Sequence, residues 1–102
     1  MSISFTKRLE AAKKLVERNS VKKYVIDGNS ERWVVVGTSR DYLNLATPVW
    51  CRCYAFQKGY YKDPYFECKH SLAVKIAIKE NSYDKYEVSN KEFEPLRTEW
   101  LI

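Results

Sequence analysis

A chain of 102 residues is the size of one compact domain, because two domains would each fall near the limit where a hydrophobic core alone is marginal. Hydrophobic residues at 45%, with three Gly and three Pro, exclude wholesale disorder, a collagen-like chain and a Gly/Pro-rich linker. The net charge of +5 leans towards anionic partners, and no apolar run exceeds four residues, where a membrane span needs about 20.

In chain order, Phe5, Leu9, Ala12 and Val16 recur at helical spacing and predict a basic amphipathic helix over residues 6–19. Lys7, Arg8, Lys13 and Lys14 lie between them, Arg18 follows Val16, and Lys22 and Lys23 follow the Asn19-Ser20 stop. Three strands come next. Val21–Ile26 runs into the turn signal Asp27-Gly28-Asn29-Ser30, Trp33–Thr38 is rich in β-branched residues, and Tyr42–Ala46 lies between Ser39-Arg40-Asp41 and Pro48. Their spacing suits a small antiparallel meander. Val49–Glu67 reads as a loop holding Tyr54, Phe56, Tyr60, Tyr61, Tyr65 and Phe66, with Lys58 and Lys62 between them. A second helix is predicted over Lys69–Glu80, with Leu72, Ala73, Ile76 and Ala77 as its buried stripe and Lys75 and Lys79 on another side. In the tail, residues 84–102, Tyr86-Glu87-Val88 reads as a short strand. Ser89 with Glu92 forms a capping box, and Phe93, Leu96 and Trp100 predict a short C-terminal helix that must accommodate Pro95. The fold class is α+β in a single domain, 1–102, with its core over about 21–80.

Every cysteine and the one histidine fall in a 20-residue window as Cys51, Cys53, Cys68 and His70, the pattern C-x-C-x14-C-x-H. An odd cysteine count and an N-terminus, Met1–Arg8, without the apolar stretch of a secretory signal argue against a disulfide framework and for a cytoplasmic protein. Two i, i+2 pairs of this composition are the usual inner shell of one tetrahedral structural Zn2+. Thiols buried for packing alone would not gather into two such pairs. A Rieske cluster needs two histidines, and iron–sulfur clusters usually take thiolate at all four positions. Four protein ligands close the shell, the H-E-x-x-H and deaminase signatures are absent, and no second histidine remains for acid–base work, so an enzyme is not expected. Zinc-finger peptides gain about 10–16 kcal/mol of apparent binding energy, comparable with the whole stability of a small domain.

The pattern resembles the SWIM zinc finger, whose mark is C-x-C, a variable gap, then C-x-H opening a helix. Cys53-Tyr54-Ala55-Phe56 places an aromatic three residues after the second ligand, and Cys68-Lys69-His70-Ser71-Leu72-Ala73-Val74 matches the family's C-K-H-x-x-A-V run. Trp33–Val36 and Tyr42–Leu45 resemble the two strands that precede the finger, so the likeness covers about Val21–Lys79. It departs at Ala55, where many members carry an acid, and at Glu67, where many carry proline. The resemblance implies DNA binding or protein–protein interaction. Such fingers occur in transposases, chromatin-type ATPases, a signalling kinase, ubiquitin ligases and small recombination-accessory proteins that pair with RecA-like recombinase paralogues. A nearly free-standing finger with one preceding helix is most similar to the small archaeal and recombination-accessory members.

Two functions follow. In the first, the module binds DNA through sequence-tolerant phosphate contacts, accessory to recombination or transposition, and works at the nucleoid or in the nucleus. Its candidate contacts are Arg52, Lys58, Tyr60, Tyr61, Lys62, Lys69, Lys75 and Lys79, with Lys7, Arg8, Lys13, Lys14, Lys22 and Lys23 as a second basic face. The tyrosines either stack on bases or pack over the metal site, and the charge run on the first helix is either a phosphate-binding face or its solvated side. In the second, the finger is a rigid scaffold for a protein partner, with the apolar tail residues Phe93, Leu96, Trp100, Leu101 and Ile102 covering a core or docking on another chain. No membrane role is expected, and the oligomeric state is open, a homodimer included.

Overall fold

The computed structural model describes residues 5–37, 40–46, 49–63 and 66–101, the side chains of 97 and 99–101 apart. The expectations at Thr38, Ser39, Pro48 and Tyr65, and for the Trp100, Leu101 and Ile102 side chains, lie outside the described residues. Helix α1 (Phe5–Glu17) leads into strand β1 (Val21–Ile26), β2 (Ser30–Val36), β3 (Asp41–Leu45) and the two-residue β4 (Trp50–Cys51). Helices α2 (Tyr54–Lys62) and α3 (Lys69–Glu80), strand β5 (Asp84–Val88) and helix α4 (Asn90–Leu101) complete the chain. The architecture is α+β, as expected. The meander is antiparallel from β1 to β4, but the sheet order is β4-β3-β2-β1-β5 and β5 joins β1 in parallel. A parallel neighbour needs a long crossover, and α2 and α3 supply it.

The local chemistry explains the element ends. α1 stops where Asn19 adopts a left-handed φ of 58°, with the Ser20 N–H donating to the Leu15 carbonyl at 3.0 Å. Between β1 and β2, Asp27 and Gly28 are both left-handed, at φ 52° and 77°. Glycine adopts this region without steric cost and aspartate tolerates it, so the expected turn forms here. The capping box at α4 is also present: Ser89 N–H donates to Glu92 Oε1 at 2.9 Å, and Glu92 N–H donates to Ser89 Oγ at 3.1 Å.

Strand alternation sends successive side chains to opposite faces and so builds two cores. Trp33 and Val35 face α1 and α3, where Val21, Ala12, Val16, Leu72, Ala73, Val74 and Ala77 close round them. Val34 points the other way, with Ile26, Leu43 and Phe93 of α4. The register partner of Cys51 is Asn44, which is also the partner of Trp33, so Cys51 lies on the α3 face of the sheet. Phe93 is 2% exposed and is the fully buried anchor of α4. Truncating it in Phe93→Ala is expected to cost about 3–5 kcal/mol. Denaturant unfolding of the metal-loaded chain measures this, and a loss below about 1 kcal/mol would show that α4 is not held by this contact.

Candidate metal centre

Four local devices bring the ligands together. The last residue of β4 is Cys51, set on the helical face of the sheet by its pairing with β3. Cys53 is the N-cap of α2, its extended backbone (φ −67°, ψ 155°) aiming Sγ back at the helix, where it accepts from Phe56 N–H at 3.3 Å. Cys68 repeats the arrangement at α3 (φ −84°, ψ 173°), accepting from Ser71 N–H at 3.4 Å. His70 follows in the first turn of α3. All four are buried, and their ligand atoms lie within 4.8 Å of one another. Sulfurs around one tetrahedral ion at about 2.3 Å stand about 3.8 Å apart, so a small closure would wrap these donors round a single cation. The three thiols are free, and no disulfide competes for them.

Electrostatics favours a cation here. Each helix N-terminus carries partial positive charge and unsatisfied N–H groups, which stabilise thiolate in its cap. Cys53 N–H donates to Cys51 Sγ at 3.5 Å. Without a cation the thiols share protons. Hydrogen bonds from Cys51 and then Cys53 hold Cys68 far below the ordinary thiol range, against the effect of burial. Hydrogen bonds with Cys53 and Cys68, and then burial, push Cys51 far above it. The Cys53 bond to Cys51 pulls its thiol down, but the bond to Cys68, burial and repulsion from Cys68 outweigh this and push it up to about 11. Ionising all three thiols in one buried site would require a multivalent positive charge among them. The His70 ring stacks on Tyr42 at 4.2 Å between centroids, and its Nδ1 is buried with no hydrogen-bond partner among the described residues. Buried polar atoms are seldom left so. Donor chemistry, burial and the open ring nitrogen all fit a metal ion held by Cys51, Cys53, Cys68 and His70.

Supports for this centre come from residues outside the ligand pattern. Gly59 lies against Phe66 so closely that a Cβ there would run into the ring, and this contact folds the segment after α2 back towards Cys68. Arg8 Nε donates to the Glu67 carbonyl at 3.0 Å, with its guanidinium 4.7 Å over the Phe66 ring. The Glu67 carboxylate pairs with Lys75 at 2.6 Å. Arg8 and Lys75, singled out from the sequence as basic-surface residues, thus clamp the segment that delivers Cys68.

The loop predicted over Val49–Glu67 contains β4 and the nine-residue α2. On α2, Tyr54, Tyr61, Lys58 and Lys62 are exposed, while Tyr60 is half covered by stacking on Phe56 at 5.8 Å. Tyr54 belongs to this face and was not singled out; its i, i+4, i+7 relation to Lys58 and Tyr61 is the signal, visible once the segment is known to be helical. Lys69 is exposed at the start of α3, Lys79 at its end, and Lys7, Lys13 and Lys14 along α1. Lys22 pairs with Asp84 at 2.5 Å, and Lys23 pairs with Glu31 at 3.3 Å beside the Trp33 and Tyr83 rings. Arg52 is half-buried, its carbonyl accepting from Gln57 Nε2 at 3.1 Å. Among the described residues, no helix is long and apolar enough to cross a membrane. Comparison with protein-family models, with curated proteins and with solved structures finds no match for this chain.

One equivalent of a divalent cation is expected to bind and to displace protons at neutral pH, because burial and mutual hydrogen bonding keep the crowded thiols from all ionising without it, so affinity falls as the solution is acidified. Calorimetry in buffers of different ionisation heat measures the proton count. A count of zero, or unchanged binding in Cys68→Ser, would remove the centre.

Proposed function

We propose that the chain is a zinc-dependent module of the SWIM type that binds DNA through the exposed face of α2, as an accessory to recombination or transposition. One observation carries this reading. Tyr54 and Tyr61 are 78% and 91% exposed on a helix whose first residue follows a metal ligand, with Lys58 and Lys62 on the same side. Large aromatic rings held in water gain nothing for the fold. Set on a short helix between cations, they form a platform on which unpaired bases stack while lysines neutralise phosphates. Lys69, beside Cys68, extends the positive charge past the metal site. Three thiolates and one imidazole favour Zn2+ over hard cations such as Mg2+ or Ca2+, and a closed four-ligand shell is structural. With His70 committed to metal and no other histidine in the chain, the module works by binding, not by catalysis.

The test is fluorescence anisotropy of zinc-loaded protein with single- and double-stranded DNA at two salt concentrations. Binding is expected to prefer the single strand and to weaken steeply with salt. Removing both rings in Tyr54→Ala with Tyr61→Ala is expected to weaken it by about tenfold or more, since each base–aromatic stack contributes about 1–3 kcal/mol, with zinc content unchanged. No binding at low salt, or binding indifferent to both rings, would overturn the reading and leave the α2 face to a protein partner.

A further inference from the structure

The outer edge of the sheet carries a second message, independent of the metal and of DNA. β5 is the terminal strand beyond β1, and its central residues Lys85, Tyr86 and Glu87 are exposed. Edge strands usually guard themselves with a charge, most often a lysine, that stops another strand from pairing. Here the guard has its own complement two residues away. We infer that β5 pairs antiparallel with β5 of a second copy of this chain, about a two-fold axis through Tyr86, so that Lys85 of each copy lies opposite Glu87 of the other.

Backbone direction fixes which residues can pair. The Val88 carbonyl accepts from Asp27 N–H at 2.9 Å, so residue 88 turns its backbone groups inward to β1. Alternation then turns 86 and 84 inward as well, and leaves the N–H and C=O groups of Lys85 and Glu87 pointing off the open edge. A symmetric antiparallel partner must match these outward residues with one another. Matching 85 with 85 sets lysine against lysine, and matching 87 with 87 sets glutamate against glutamate. The register that matches 85 with 87 joins opposite charges at both positions, each pair exchanging its backbone hydrogen bonds. It also places Tyr86 against the partner's Tyr86 in a non-hydrogen-bonded pair, where side chains approach most closely. Each Tyr86 ring already stacks on Tyr24 at 5.2 Å, so the aromatic row would run unbroken across the axis.

The unpaired chain leaves these charges unanswered. Among the described residues neither Lys85 nor Glu87 makes an ion pair. The register neighbour of Lys85 on β1 is Lys23, a like charge. A glutamate arriving from a second copy would relieve that juxtaposition.

The experiment is sedimentation equilibrium on the zinc-loaded full chain, with circular dichroism and zinc content confirming that each variant folds. The wild type is expected to associate to a dimer with rising concentration. Lys85→Glu and Glu87→Lys each set like charges opposite one another twice per dimer, and each is expected to raise the dissociation constant by about tenfold or more. An equimolar mixture of the two variants should re-form a dimer, because one copy then carries two glutamates and the other two lysines, and the double variant Lys85→Glu with Glu87→Lys should dimerise like the wild type. A wild type that stays monomeric up to about 1 mM, single variants that dimerise normally, or a mixture that fails to recover would each overturn the proposal.

Discussion

Two helices in this protein begin on sulfur atoms. Cys53 Sγ caps α2 and Cys68 Sγ caps α3, each taking the N–H of the residue three positions on. The same sulfur atoms that close the helix ends are those a cation would take, through their other lone pairs, so helix initiation and metal ligation draw on one set of atoms. A thiolate is the better cap and the better ligand, and both roles favour losing the proton. α2, with nine residues, is too short to persist in water by itself. Its Cys53 cap packs with Cys51 at the end of β4 and with Cys68 at the start of α3, which holds the first turn in place.

The remainder of the molecule holds these two helix ends in register. Trp33 and Val35 present a flat apolar surface on which α1 and α3 lie side by side, and α3 thereby points its N-terminus at the end of β4. Arg8 reaches from the first helix to the Glu67 carbonyl, and Lys75 reaches from the third to the Glu67 carboxylate. The opposite face is a separate matter. Phe93 covers Ile26, Val34 and Leu43 there, and Trp50 packs against both this cluster and the thiol cluster around Phe56. The sheet thus lies between a layer packed around the thiol cluster and one held by hydrophobic burial, with Trp50 at their junction.

The four ligands, the α1 periodicity, the Asp27-Gly28 turn and the Ser89–Glu92 capping box were all legible, because each is a local pattern with a local cause. α2 was not. Tyr54–Lys62 has a single buried residue, Phe56, carries Gly59 in its interior, and forms because of a sulfur cap and a ring packed on that glycine. Nor was the place of β5. Asp84–Val88 shows no alternation of burial, and its partner on β1 lies some 60 residues earlier, a distance at which sequence pattern carries no signal. Pro95 argued against α4, yet the helix continues through it. The lost N–H would have served the Lys91 carbonyl, and the capping box and the buried Phe93 offset that loss.

The parallel joining of β5 to β1 sets an order of assembly. Between Ile26 and Asp84 the chain must finish a meander, two helices and a crossover before the last strand has a place to go. Closing a long loop is entropically costly and slow, and the contacts that reward it come late. A tie between Cys51 and Cys68 removes the intervening segment from that search, so a bound ion shortens the effective distance the last strand must travel. Strand β5 is then the last strand to dock and the first to exchange its amide hydrogens, and a chain stripped of metal would keep its N-terminal hairpin longest.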